Sequence, residues 1–163
     1  MGFGERLRVT LFGESHGIGV GALVEGLPSG INVDENALQE ALSRRRPGGP
    51  LASKRKEVDK CEILSGVHEG KTTGWPILLF VRNSDAHSSD YAFLPNQPRP
   101  GHADLPGALK YRFEDVRNVL ERASARETAA RVAVAGIAKR LLAEFGVSFQ
   151  SHTISLGGVH AQI

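Results

Sequence analysis

The sequence predicts an α+β fold, built from β-hairpins and two amphipathic helices within one domain, residues 1–163. Apolar runs separated by glycine-rich turns predict the hairpins. Apolar residues at i, i+3 and i+4 spacing, each time after a capping signal, predict the helices. A composition of 40% hydrophobic and 23% charged residues suits a globular domain that buries a core.

The predicted strands share short apolar runs bounded by glycine or polar residues, at residues 7–12, 22–24, 60–67, 77–81 and 147–156. Residues 25–30 predict a turn after the second of them. The Gly-Lys-Thr at 70–72 resembles part of a phosphate-binding loop, but such a loop needs a glycine where Ser65 stands. We therefore expect a hairpin turn at residues 70–74.

The first predicted helix starts at Asp34, a plausible N-cap, and carries Leu38 and Leu42 on one face until Pro47-Gly48 ends it. The second starts at Ser124, where Ser-Ala-Arg-Glu forms a capping box, and ends at Gly146. Between them, the proline-rich residues 82–106 predict a long irregular segment of the kind that is usually functional or mobile.

Net charge and cysteine content exclude several classes of protein. A formal charge of +2, from 20 basic and 18 acidic side chains, gives no reason to expect a nucleic-acid partner. The single cysteine, Cys61, excludes an intramolecular disulfide and is expected to be a core thiol. No signal peptide and no run long enough to span a bilayer is present, so we expect a cytoplasmic protein without membrane contact.

Residues 13–17, Gly-Glu-Ser-His-Gly, place polar side chains directly after an apolar run. The pattern G-x-S-x-G also occurs in serine hydrolases, where Ser15 would be the nucleophile of a strained turn that leads into a helix. The glycine-rich residues 17–21 predict an extended segment instead of a helix. The hydrolase interpretation is therefore rejected.

Two features favour proton transfer on an anionic substrate. His16 and His102 lie in conformationally restricted polar turns, and histidine is the residue type best suited to exchange protons near neutral pH. The helix start at Ser124, with Arg122 and Arg126 on either side, predicts a phosphate site, although an ordinary capped helix with solvated arginines explains this signal too. No spacing typical of metal ligands accompanies them, so no metal site is expected.

Further motifs occur in order along the chain: Glu-Gly-Leu-Pro-Ser-Gly at 25–30, Arg-Arg-Arg-Pro-Gly at 44–48, Arg-Pro-Gly-His-Ala-Asp at 99–104 and Arg-Ala-Ser-Ala-Arg-Glu-Thr at 122–128. Together with residues 13–17, they resemble the motifs of the chorismate synthase family across essentially the whole chain. The resemblance implies a β-α-β sandwich, in which helices pack between antiparallel sheets. Members of that family are longer, so we expect a domain truncated at its C-terminus.

The resemblance also implies a lyase of the shikimate pathway, which converts 5-enolpyruvylshikimate 3-phosphate to chorismate by anti 1,4-elimination of phosphate, using reduced FMN. It implies that His16 protonates the departing phosphate and that His102 protonates or holds the reduced flavin. Position by position, it assigns Arg122, Ala123 and Ser124 to FMN. Arg45 is assigned to nicotinamide or substrate phosphate, with NADPH as a possible reductant of the flavin.

By the same resemblance, Ser15 is expected to bind substrate and Arg126 to face the phosphate of the substrate or the flavin. A further arginine of the family falls in the loop at residues 49–55, where Lys54 or Arg55 is the possible substitute. The family forms tetramers, so a homo-oligomer is expected. The alternative is a non-catalytic fragment, which binds an anion or only associates with itself.

Overall fold

The computed structural model of the chain describes residues 2–46, 57–85 and 96–162. Its strands are β1 Gly2–Phe3, β2 Arg8–Gly13, β3 Gly19–Glu25, β4 Ser29–Asn32, β5 Cys61–Ser65, β6 Val67–His68, β7 Lys71–Thr73, β8 Ile77–Arg82, β9 Ser155–Leu156 and β10 Val159–His160. Its helices are α1 Glu35–Arg44, α2 Asp104–Tyr111, α3 Arg117–Arg122 and α4 Thr128–Ala143, and a 3-10 turn at Ala125–Glu127 precedes α4.

The main sheet has the antiparallel order β1-β2-β3-β8-β5. Its central strand β3 pairs Ala22 with Leu11 of β2 and with Leu79 of β8. A smaller sheet has the order β4-β7-β6, and β9 and β10 form a separate hairpin. This arrangement brings the loop between β2 and β3 next to the end of β8, which is where the polar motif at residues 13–17 lies.

Helices α1 and α4 pack on the main sheet and on each other, and the core lies between these layers. Leu42, Leu79 and Ile137 are among the fully buried side chains. The two helices approach closely at Gly136, where a Cβ atom would lie 2.6 Å from Cδ1 of Leu38. A glycine at this position therefore sets the distance between α1 and α4. The α+β class is thus confirmed.

Most predicted elements before residue 82 are confirmed, with three corrections. The predicted turn at 25–30 is shorter, since β3 runs to Glu25 and β4 begins at Ser29. The predicted strand at 60–67 is divided at Gly66, whose φ of +80° ends β5 and sends the chain into the smaller sheet. The predicted turn at 70–74 is wrong over Lys71–Thr73, which form β7, because these residues pair with both β4 and β6. Cys61 packs against the core, and burial raises the pKa of its thiol to about 11.

The prediction of a strand over residues 147–156 is wrong over residues 147–154 and holds only for Ser155–Leu156, which form β9. Residues 147–154 form no strand, and every residue from 144 to 162 is exposed. Alternating apolar residues favour a strand only where a neighbouring strand satisfies the backbone, and the only pairing described here is the short one between β9 and β10. The predicted helix stop at Pro47-Gly48 and the loop position of Lys54 or Arg55 lie outside the described residues.

Helices α2 and α3 were not predicted, since neither follows the usual sequence rules. Helix α2 contains Pro106 and Gly107 near its start, and α3 is only six residues long. Proline is tolerated in the first turn of a helix, where backbone N–H groups lack partners within the helix. None of the described helices is both long and apolar enough to cross a membrane.

We expect Asp34→Ala to lower the free energy of unfolding by about 0.5–2 kcal/mol. The Asp34 side chain accepts a 3.0 Å hydrogen bond from the backbone N–H of Ala37, and alanine removes this cap. Denaturant unfolding should detect the change. Asn36→Ala, at an exposed position in the first turn, is the control and should have an effect within about 0.5 kcal/mol. Equal effects of the two substitutions would contradict the capping role.

Candidate active site

The loop between β2 and β3 has a geometry that only glycine allows at its start. Gly13 has a φ of +92°, and a Cβ atom there would lie 2.2 Å from the carbonyl oxygen of Gly19. The side-chain amide of Asn83, just after β8, lies 2.8–3.0 Å from the carbonyl oxygens of Glu14, Ser15 and Gly17. The end of β8 therefore fixes the loop that carries His16.

His16 is held at two of its atoms by one carboxylate. Its backbone N–H donates to Oε2 of Glu121 at 2.6 Å, and its ring Nδ1 lies 3.0 Å from Oε1 of the same side chain. Glu121 lies near the end of α3. The side chains of His16 and Glu121 are 10% and 22% exposed. Sequence reasoning missed Glu121, whose only signal was its place directly before the Arg122 motif.

Ser15 lies at the same junction. Its hydroxyl donates a 2.9 Å hydrogen bond to the hydroxyl oxygen of Ser124, and its backbone N–H donates to the carbonyl of Glu121 at 3.0 Å. The Ser124 oxygen also accepts from the backbone N–H of Arg126 at 3.2 Å, which caps the 3-10 turn. The structure thus brings together Ser15, His16 and Ser124, three residues that the sequence analysis assigned to one site.

Arg122 and Ala123 border a neighbouring cavity of about 720 Å³. Arg122 donates to the carbonyl of Gly13 and, at 2.9 Å, to Oε2 of Glu127. The expected capping-box bond from Glu127 back to Ser124 is replaced, since the Glu127 carboxylate binds Arg122 and Arg131. The cavity is further lined by residues of the α2 region and of α3: Ala103, Pro106, Gly107, Lys110, Tyr111, Phe113, Asn118 and Val119, together with Glu127.

Arg126 is buried and its guanidinium binds protein acceptors. It donates to Oδ1 of Asp59, to Oδ1 of Asn83 at 2.7 Å and to the carbonyl of Arg82 at 3.0 Å. Arg45 donates to the other oxygen of Asp59, so the two arginines share one fully buried carboxylate. The predicted contact of Arg126 with a phosphate would require these bonds to rearrange.

His102 lies next to Asp104, directly before α2. Its Nδ1 is 3.1 Å from Oδ1 of Asp104 and 2.9 Å from Nη2 of Arg99. A guanidinium can only donate and a carboxylate can only accept, so protonation of Nδ1 decides which neighbour the ring binds. Ala103, beside His102, lines the cavity that Arg122 borders. The described contacts do not join His102 to His16 directly.

Asp104 is expected to make the protein less stable in acid. The hydrogen bonds from the Arg99 side chain hold the pKa of the buried Asp104 carboxyl well below its usual range. Because the folded-state pKa is depressed, this stabilisation is complete above the unfolded-state pKa of about 3.9 and is lost as pH falls below it.

We therefore expect Asp104→Asn to lower the free energy of unfolding at pH 7 by about 1–3 kcal/mol. The difference in Tm from the unmodified chain should shrink as the pH falls from about 5 to about 2. Thermal unfolding across this pH range measures it. Glu5→Gln, at an exposed position, is the control with no expected pH-dependent difference. A difference for Asp104→Asn that is constant with pH would contradict the assignment.

Within residues 2–46, 57–85 and 96–162, no group of His, Cys, Asp and Glu is placed to hold a metal ion. The site consists instead of a histidine fixed on a carboxylate, hydrogen-bonded serines and arginines beside a cavity. The fold and the site define an α+β protein in which a histidine–carboxylate pair lies beside hydrogen-bonded serines and an arginine-bordered cavity.

The chain belongs to the chorismate synthase family, whose model matches residues 7–163. It is 51% identical over 160 residues to chorismate synthase of Aeropyrum pernix. The aligned region covers 98% of this chain and 42% of that relative. It is 48% identical over 161 residues to chorismate synthase of Methanosarcina mazei. The aligned region covers 98% of this chain and 44% of that relative.

A crystal structure of chorismate synthase superposes with a TM-score of 0.66 at 42% identity, over 87% of this chain and 35% of that one. The likeness extends the family assignment from sequence to fold. The chain spans less than half the length of the curated relatives it matches.

Proposed function

We propose that the chain carries catalytic residues of chorismate synthase, which eliminates phosphate from 5-enolpyruvylshikimate 3-phosphate to give chorismate. The observation that carries the proposal is the placement of His16 on Glu121 beside the Ser15–Ser124 hydrogen bond. These residues come from motifs 109 positions apart in sequence. Their convergence in a member of this family supports one shared site.

In the proposed reaction, a C–H bond and the C–O bond to phosphate break at carbons in a 1,4 relation, and the proton lost from carbon would be taken up by the reduced flavin near His102. His16 protonated at both ring nitrogens gives its Nε2 proton to the departing phosphate and keeps the Nδ1 proton that faces Glu121.

The half-buried Ser124 hydroxyl is proposed to bind the substrate, and Ser15, which is 1% exposed, acts on it through the hydrogen bond that it donates to Ser124. The buried Arg126 donates to the side-chain oxygen of Asn83, and the side-chain nitrogen of Asn83 donates to the loop between β2 and β3. Arg126 therefore helps to fix the loop that carries His16.

The described residues fit reduced FMN. The cavity beside Arg122 and Ala123 has a volume suited to a small planar ligand, and its lining includes aromatic rings and cations. Reduced FMN, when bound, supplies transient electron density to the reaction. His102, whose neighbour Ala103 lines this cavity, is proposed to hold or exchange a proton there.

Arg45 is proposed to meet an anionic group, which could be a phosphate of the substrate or of NADPH acting as flavin reductant. Its Nε is buried and has no hydrogen-bond acceptor among the described residues. A buried donor without a partner is unfavourable, and a ligand oxygen would satisfy it once the groups that cover this atom move aside. A tetrameric assembly and a cytoplasmic location complete the proposal.

The test is anaerobic turnover of 5-enolpyruvylshikimate 3-phosphate by the purified chain with chemically reduced FMN. Chorismate absorbance and phosphate release should rise together, in equal amounts. Circular dichroism confirms that the chain is folded. A folded chain that binds FMN but releases neither product would contradict the catalytic proposal and leave a non-catalytic, anion-binding fragment.

A further inference from the structure

Glu121 meets one residue, His16, through both of its carboxylate oxygens. Oε2 accepts from the backbone N–H of His16 and Oε1 faces its ring Nδ1. The Glu121 carbonyl also accepts from the backbone N–H of Ser15. Three contacts from one residue therefore fix the backbone of the loop and the orientation of the imidazole ring together.

This geometry also determines which ring nitrogen of His16 carries the proton. An ionised carboxylate only accepts hydrogen bonds, so Nδ1 must donate when it faces Oε1 at 3.0 Å. A neutral His16 then has its proton on Nδ1, and Nε2 is the nitrogen that gains and loses a proton. His68 gives a contrast within the chain, since its Nε2 is 3.9 Å from Glu69 and both side chains are more than 80% exposed.

We propose that Glu121 is a positioning residue that holds His16 in the Nδ1–H tautomer and so assigns proton exchange to Nε2. This inference rests on the proposed function for its role in the elimination. The tautomer itself depends only on the contacts with Glu121. A purely structural ion pair would stabilise the fold without selecting one nitrogen of the ring.

The first test is the ring tautomer, read from long-range proton–nitrogen NMR correlations of the ¹⁵N-labelled chain above the pH at which histidines are protonated. The signals of His16 are assigned by their absence in His16→Ala. In the unmodified chain we expect the Nδ1–H pattern for His16. An Nε2–H pattern would overturn the proposal, whether or not the chain shows any turnover.

Glu121→Gln sharpens the test because an amide has one acceptor oxygen where the carboxylate has two. The backbone N–H of His16 always donates, so it keeps that oxygen, and the new amide N–H₂ faces Nδ1. We expect His16 to change to the Nε2–H tautomer. Glu69→Gln is the matched control and should leave every histidine unchanged. If Glu121→Gln does not fold, the spectrum of the unmodified chain still shows which ring nitrogen of His16 carries the proton.

The second test separates positioning from binding. With reduced FMN and substrate, Glu121→Gln should lower kcat by about 10²-fold, the lower end of what general acid catalysis contributes, and leave KM nearly unchanged. A raised KM at constant kcat would overturn the positioning role. Absence of turnover in the unmodified chain contradicts the proposed function instead, and the tautomer experiment remains a test of Glu121.

Discussion

Asp59→Ala is expected to lower the free energy of unfolding by about 3–5 kcal/mol, the usual effect of removing one partner of a buried ion pair. The Asp59 side chain is fully buried and binds Arg126 through one oxygen and Arg45 through the other. Alanine leaves the buried Arg126 with a charge that its remaining carboxylate neighbour, Glu57 at 3.8 Å, compensates only in part. Denaturant unfolding measures the loss.

Asp115→Ala is the matched control for this prediction. Asp115 also pairs with an arginine, Arg117, but both side chains are substantially exposed. Exposed ion pairs contribute at most about 1 kcal/mol, and the backbone N–H of Arg117 also loses its acceptor, so we expect a loss of about 0.5–2 kcal/mol, below that of Asp59→Ala. Similar losses for the two substitutions would show that the Asp59 cluster is no more important to stability than a surface pair.

His16→Ala is expected to lower kcat for chorismate formation by about 10²–10⁴-fold, the contribution typical of a general acid. The ring is held by Glu121, and alanine removes the proton donor while leaving the backbone bond to Oε2 in place. Because the loop stays fixed, KM should change much less than kcat. Turnover with reduced FMN under anaerobic conditions gives both constants.

The control for His16→Ala is His68→Ala, which removes an exposed histidine on β6. It should leave kcat and the free energy of unfolding nearly unchanged. A full loss of activity in both variants would point to damage of the fold. Full activity in His16→Ala would remove His16 from the proposed reaction and leave its contact with Glu121 as a structural one.

The sequence predicted correctly those helices and strands whose signals, a capping residue or an apolar run, lie within the element itself. Asp34 caps α1 through its own side chain, and β2, β3 and β8 follow from apolar runs. The same patterns failed for residues 147–154, which have no strand to pair with in the described part of the chain. Strand formation depends on a partner, which a local pattern does not contain.

The candidate site was predicted in its parts but not in its connections. His16, Ser15 and Ser124 were named from motifs, and the structure joins them. Glu121 and Asp59 were missed because a single carboxylate has no distinguishing pattern until the fold brings its partners to it. Arg126 was expected to meet a ligand, and only the tertiary structure reveals its bonds to Asp59 and Asn83.

Asn83 couples the loop that carries His16 to the main sheet. Its side-chain nitrogen holds the loop at residues 14–17 and its oxygen accepts from Arg126, so one side chain joins parts distant in sequence. The position of His16 therefore depends on the main sheet as well as on its own loop, since the loop keeps its bonds to Asn83 only while β8 is paired with β3.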